Sequence, residues 1–340
     1  MQKHNLTLAN QSVSRFSYLV NDLGQRTSLA TSGSAFGDTA EQTDWGYDAL
    51  GQLVQADHNT SDQNDRLYQY DQLGNRISST DHQGTTNYQS NELNQYLAVG
   101  GSDYQYDADG NLISDGLRTY HWNANNRLIE VKLAGLSQAT YAYDHQGRRI
   151  SKSTPQGTTQ FVYDGWNLLA EYQDKSLKNS YLWGPDLSGS MQGAGGVGGL
   201  LSVSDENGTT HYATYDGNGN VSEFLNEDGE SVAHYEYDPF GSTVTSSGPL
   251  AQSFSFRFST KYQDPETGFY YYGYRYYDTV TGRWISRDPV IERGGYRWLE
   301  AYVAKILLKN RLNIEISEEM LLKPRGEGTE LNLYKFINND

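Results

Sequence analysis

One phrase recurs along the chain and limits what it can become: an aromatic residue, any residue, Tyr, Asp, two variable residues, Gly, then an alternating run. It stands in "WGYDALGQLVQA" (45 to 56), "YQYDQLGNRISS" (68 to 79), "YQYDADGNLISD" (104 to 115), "YAYDHQGRRISK" (141 to 152) and "YEYDPFGSTVTS" (235 to 246). Degenerate copies include "YLVNDLGQRTSL" (18 to 29), "NYQSNELNQYLAV" (87 to 99), "TYHWNANNRLIEV" (119 to 131), "FVYDGWNLLAEY" (161 to 172) and "ATYDGNGNVSEF" (213 to 224), so the step is roughly 16 to 23 residues. Asp at the first position of a turn accepts hydrogen bonds from backbone amides ahead of it. Gly three residues later takes a positive φ at no steric cost, which suits a type I turn closing with a bulge. Each copy therefore predicts a strand, a turn and a return strand. The two aromatics of a copy share one strand face, because side chains alternate with period two. One hairpin cannot bury that face alone; hairpins laid side by side form a continuous antiparallel sheet with an aromatic stripe. The carboxylates Asp71, Asp107 and Asp144 are accordingly read as turn formers.

Leu, Ile, Val and Phe make up only about a fifth of the chain, near the level at which polypeptides stay disordered. The 28 Tyr and 6 Trp oppose disorder, since each ring buries a large area while keeping a polar handle. A formal charge of -16 with no basic stripe weighs against nucleic acid and anionic membrane surfaces, and solubility is reason enough for it. The absence of Cys excludes disulfides and leaves the compartment open. No apolar run approaches 18 residues and residues 1 to 20 contain no apolar leader core, so neither a membrane span nor a signal peptide is expected in this stretch.

Other motifs fail on their context. "DADGN" (107 to 111) and "DGNGN" (216 to 220) begin like calcium loops, but both lack Gly at the sixth position and the first also lacks Glu at the twelfth. Gly193, Gly195 and Gly198 spell GxGxxG, yet "LLSVSDENG" after them reads as strand and turn, not helix. A backbone crossing between two hairpin blocks is the expectation for 191 to 203. The seven His show no metal-ligand spacing, and no cofactor is expected.

The "YxYDxxGNLI" copies resemble the YD repeats of the RHS family. "YLWGPDLSGSMQGAGGVGGLLSV" (181 to 203), "YEYDPFG" (235 to 241), "FRFSTKYQDPETGFYYYGYRYYDTVTGRWISRDP" (256 to 289) and "LNLYKFINND" (331 to 340) resemble its associated core, in order. The resemblance implies hairpins wound into a hollow β-shell around a variable C-terminal segment, often a toxin, which the core can release by aspartyl-type self-cleavage. It assigns Arg275 of "YRYYD" and Asp288 of "SRDP" to that site, and leaves Arg283 of "GRW" to pack or pair structurally. Aspartyl proteolysis needs two carboxylates sharing a proton. The family's second one lies downstream of "NLY...NND", so the chain ending at Asp340 is expected to be inert in self-cleavage. Asp288 is equally readable as a turn anchor before Pro289.

Between Gly295 and Leu331 stand 35 residues that the family pattern lacks. Trp298, Leu299, Tyr302, Val303, Ile306 and Leu307 recur at helical spacing, predicting an amphipathic helix of about 14 residues. Ser317 is a candidate cap for a second helix stopping at Pro324. The insert admits three readings: a loop insertion packed on the shell end, a plug or contact for cargo, or a scar that disrupts the core.

The expected fold is all-β, stacked antiparallel hairpins forming a curved sheet or partial β-shell, with a small helical insertion near the C-terminus. The expected divisions are a hairpin array (1–180), a core-associated β region (181–295), the insertion (296–330) and a remnant of the core motif (331–340). The function expected is structural: a shell fragment enclosing or presenting a C-terminal effector, secreted or at a bacterial cell surface. Its partners would be that effector segment, cell-surface carbohydrate or secretion components. The alternatives are a carbohydrate-binding module that displays solvent-facing Tyr and Trp, and an incomplete self-cleaving core.

Overall fold

The computed structural model describes residues 1–6, 10–37 and 41–289. The insertion 296–330, with its expected helices, and the segment 331–340 lie outside the described residues. Within them the chain is a succession of antiparallel strands in three sheets, and within each sheet every strand is hydrogen-bonded to its sequence neighbours. Ten strands run from β1 (Gln2–Leu6) to β10 (Ser102–Asp103), fourteen from β11 (Gln105–Tyr106) to β24 (Thr243–Ser247), and four short ones from β25 (Tyr262–Gln263) to β28 (Arg283–Trp284).

The turns have the geometry the repeat predicts. The Gly74 amide donates to the Asp71 carbonyl at 3.1 Å, while Oδ1 of Asp71 accepts from the Leu73 and Asn75 amides at 2.9 and 2.8 Å. Gly74 sits at φ +80°, and the register slips between Gln69 and Tyr70, which is the bulge. Asp107 and Asp144 hold their turns in the same way. Where the glycine is replaced, Asn94 and Asn126 take φ of +59° and +54°, a conformation Asn tolerates better than most residues.

The alternation then sorts the strands into two faces. Tyr68, Tyr88, Tyr120, Tyr141, Tyr181 and Tyr235 are buried on the inner face, while Leu67, Ile77, Leu97, Ile150 and Val162 look outward. The sheet is not continuous. It breaks between β10 and β11, where the Tyr104 amide folds back onto the Leu97 carbonyl at 2.8 Å and its ring packs against both neighbouring clusters. No such break falls at residue 180, because β19 (Ser176–Trp183) is paired on both sides. The glycine-rich stretch also differs from expectation. It joins β19 to β20 (Leu200–Asp205), which are adjacent, so it is a long hairpin loop and not a crossing between blocks. Asp186 organises it, accepting from the amides of Ser188, Ala194 and Gly196 at 2.9, 2.7 and 3.0 Å.

Two packing events turn the ribbon into a wall with an interior. Residues 250–285 fold across the inner face of the second sheet. Phe254 stacks on Phe224 at 3.9 Å, Phe256 meets Tyr181 edge-on at 5.1 Å, Tyr262 meets Phe161 at 5.6 Å, and Phe269 stacks on Tyr120 at 5.7 Å. Each such pair adds about 1 kcal/mol beyond the area it buries. The end of the second sheet also returns to the first. Asn5 donates to the Tyr215 carbonyl at 2.9 Å, the Gly217 amide donates to the Tyr18 hydroxyl at 2.9 Å, and Phe240 meets Tyr68 edge-on at 5.0 Å. The outer side of β1 carries no further strand among the described residues, although its Asn5 end is covered.

Candidate functional site

The second residue after the turn glycine points inward. Leu112 and Val221 occupy that place, and both are buried. Three repeats put arginine there instead: Arg26 is half-buried over the Tyr18 ring, and Arg76 and Arg149 are buried. An inward cation on an aromatic face needs a partner, and the later chain supplies it.

Arg149 lies on β16 (Arg149–Thr154) and donates to Asp264 Oδ2 at 2.5 Å; their side chains are 1% and 0% exposed. Lys152, on the same face, reaches Asp264 Oδ1 at 3.1 Å and Glu266 Oε1 at 3.2 Å. Tyr271 accepts the Arg149 amide at 2.7 Å, and the guanidinium has Tyr271, Phe161 and Tyr262 rings 4.5, 4.9 and 5.2 Å away. Burial alone would push the Asp264 carboxyl up; Arg149 and Lys152 outweigh it and hold it below the usual carboxylate range. Glu266 is raised, by burial first and then by Asp264. This clamp fastens the 250–285 segment to the hairpin array.

Arg76 performs the same office at the seam between the sheets. Its guanidinium lies 4.2 Å from the centre of the Phe240 ring and donates to the Tyr88 hydroxyl and the Val280 carbonyl at 3.2 and 3.1 Å. Arg283 is buried over the Tyr96 ring, at 3.6 Å, and donates to the Asn94 carbonyl and Asn75 Oδ1 at 2.5 and 2.6 Å. That is the packing role the sequence assigned to it. Farther along the seam a cavity of about 120 Å³ is lined by Phe16, Trp45, Glu41 and Glu236 among others. Beside it His234 bridges Glu223 and Glu236 at 3.2 and 3.3 Å, and Ser14 donates to Glu223 at 2.8 Å. Burial disfavours the imidazolium, but the two glutamates overcome it and lift His234 to about 9.

The two residues expected at a cleavage site come together. Arg275 Nη2 stands 3.0 Å from Asp288 Oδ2, and its guanidinium lies 4.1 Å from the centre of the Trp284 ring. The pair sits where the described chain ends, partly open to solvent. Among the described residues no group of three His, Asp or Glu side chains is placed to hold a metal ion. Sequence reading passed over Arg76, Arg149, Lys152, Asp264 and Glu266. The signal was available: "GNRIS" and "GRRIS" place Arg where "GNLIS" has Leu.

An antiparallel hairpin array with a filled inner face, fastened by buried ion pairs, is the wall of a β-shell. A family model described as Teneurin YD-shell matches residues 1–304, and the chain belongs to that family. Among curated proteins it is 34% identical over 253 residues to the tRNA3(Ser)-specific nuclease WapA of Bacillus spizizenii, a match covering 72% of this chain and 10% of that protein. It is 26% identical over 296 residues to the double-stranded DNA deaminase toxin A of Burkholderia cenocepacia, covering 78% of this chain and 20% of that protein. The chain thus spans a small part of the relatives it matches. Of solved structures, the Photorhabdus luminescens Tc holotoxin pore is similar with a TM-score of 0.56 at 18% identity, over 85% of this chain and 18% of that one. The TcdB2-TccC3 crystal structure is similar with a TM-score of 0.54 at 18% identity, over 84% and 18%. At that identity the likeness is one of fold.

Proposed function

We infer that this chain is part of the wall of a toxin-type shell whose inner side holds or presents the polypeptide that follows it, in a bacterial protein that is exported or displayed at the cell surface. The observation that carries the reading is the course of residues 250–285. The chain crosses onto its own inner face, is clamped there by Asp264, and is still tied to the hairpin array at Ile285, whose carbonyl accepts from the Leu112 amide at 2.8 Å. Relatives named as a nuclease and a deaminase toxin support an effector as the enclosed polypeptide. A carbohydrate-binding surface has less to offer, since among the described residues only Tyr212 and Tyr274 of the tyrosines are exposed. The test is to fuse the same unstructured passenger either after Asp340 or before Met1 and to compare trypsin half-lives. Containment requires the C-terminal passenger to survive at least tenfold longer; equal lifetimes would refute it.

The 3.0 Å pairing of Arg275 with Asp288 favours a second reading, in which this end of the shell is half of a self-cleaving core. Expression of the chain with its natural downstream sequence should yield a cleaved product, and Asp288→Asn should abolish it while leaving unfolding by urea unchanged. Cleavage that persists in that variant would remove Asp288 from the chemistry.

A further inference from the structure

The cavity at the seam between the first two sheets gathers aromatic rings and carboxylates into one space. Its first wall is the inner face of the first sheet. Cross-strand pairing sets Phe16, Thr31 and Glu41 in one row and Leu29, Thr43 and His58 in the next. Trp45 lies two residues beyond Thr43 on the same face of β4 (Glu41–Tyr47). The second wall is the end of the second sheet, which contributes Glu236 from β23 (Ser231–Tyr237) and Asp238 from the turn after it. Phe36 bridges the walls, edge-on to Phe16 at 5.7 Å and to the His234 ring at 5.0 Å. Asn218, also in the lining, is exposed, so the space is reached from solvent.

The charges around this space do not balance. Asp216 is held by its turn, accepting from the Asn218 and Asn220 amides at 2.8 and 3.0 Å, and Asp238 has Arg66 at 4.0 Å. Glu236 has His234, which it shares with Glu223. Glu41 has no cation of its own among the described residues and faces Glu236 across the seam. Three glutamates thus share one imidazolium. Burial first, and then Glu236, raise the Glu41 carboxyl above its usual range. His58 is the one basic side chain among the described lining residues, and burial lowers its pKa, so it supplies no charge at neutral pH.

Like charges that face each other across an interface repel strongly once they leave water, so a cation between them is favourable. The walls decide its kind. A divalent metal ion needs a shell of oxygen ligands, and no three carboxylate or imidazole groups among the described residues are placed to give one. An ammonium group instead donates to two carboxylates and rests its charge and its methylenes on aromatic faces. The volume of about 120 Å³ is somewhat under that of an engineered cavity of about 150 Å³ that takes up benzene, so the ligand has about five non-hydrogen atoms. We propose that this cavity is a binding site for a primary alkylammonium group, its nitrogen between Glu41 and Glu236 and its carbon chain against Phe16, Phe36 and Trp45.

The test is a titration of the intact chain with n-butylammonium chloride at constant chloride concentration. It is read at the indole N–H resonance of Trp45, which Trp45→Phe assigns. The resonance should move to a plateau, n-butanol should give no plateau at the same concentrations, and Glu41→Gln should weaken the binding on the order of tenfold. A shift that never saturates, an equal affinity for n-butanol, or an unchanged affinity in Glu41→Gln would overturn the proposal. Thr43→Lys guards against a variant that fails to fold, because it tethers an alkylammonium beside Glu41 on the same strand face. It should raise the urea midpoint and abolish butylammonium binding, whereas a lowered midpoint or persistent binding would overturn the proposal. Nα-acetyl-lysine N-methylamide, titrated in parallel, separates the sources of the group. An affinity equal to that of butylammonium assigns the site to a lysine side chain of a polypeptide, and exclusion assigns it to a free amine.

Discussion

Asp264→Asn tests the clamp most severely. The substitution keeps the size of the side chain but removes the charge shared by Arg149 and Lys152, leaving a guanidinium that is 1% exposed without its anion. Removing one partner of a buried pair costs about 3–5 kcal/mol, because the other charge stays desolvated. Lys152 keeps Glu266, which moderates the loss, whereas the rings around Arg149 are present in both proteins and cancel. An expected cost of about 4 kcal/mol is roughly a thousandfold in the unfolding equilibrium. Urea unfolding followed by tryptophan fluorescence would read it through Trp183, which touches Phe256 of the clamped segment. The paired replacement Arg149→Met with Asp264→Leu should restore stability to within about 1 kcal/mol, since an apolar pair of similar volume avoids the desolvation. The sign with pH is fixed by the depressed carboxyl. Asp264 contributes fully above its unfolded value of about 4 and loses that contribution as the pH falls below it, so the Asn variant should lack this share of acid sensitivity. A cost below about 1 kcal/mol, or an unchanged acid limb, would refute the clamp.

His234 is raised to about 9 in the fold, so its contribution is complete below pH 6.5 and disappears as the pH climbs through 9. The loss should be on the order of 3 kcal/mol between those limits, and His234→Gln should flatten the stability curve there. Gly24→Ala and Gly241→Ala both place a side chain at positive φ, at about 1–2 kcal/mol each. A Cβ on Gly24 meets nothing within 4 Å, while one on Gly241 would lie 2.6 Å from the Phe258 ring, so the second variant should be measurably worse in thermal unfolding. Arg283→Lys should destabilise the seam by about 2 kcal/mol, because a single ammonium cannot reach both Asn94 and Asn75 as the guanidinium fork does. Faster hydrogen exchange confined to the first sheet would show it.

The hairpins were legible because their physics is local. Asp71, Gly74 and the flanking aromatics lie within a few residues of one another, and the turn chemistry they encode is the turn found. The family resemblance read from "YxYDxxGNLI" likewise holds along most of the chain. The break at Tyr104 was not legible, since it depends on one amide choosing Leu97 over the next strand. Nor was the course of residues 250–285. Their contacts with Tyr120, Phe161, Tyr181 and Phe224 span up to 149 positions, and no periodicity within the segment names those partners. Arg149 shows why the site was missed. Its inward direction follows from its place after the turn, but the need for Asp264 follows only once burial is known. Arg275 and Asp288 were named from a motif, and the structure sets them in contact; what the pair does chemically rests with the cleavage assay.

Residue-resolved hydrogen exchange of the intact chain bears most directly on whether the wall encloses its own later segment. The protected amides of residues 254–285 should exchange only with those of the second sheet, at the rate of global unfolding. Were those amides to exchange at least a hundredfold faster while the strands stayed protected, the segment would be an external appendage and containment would fail.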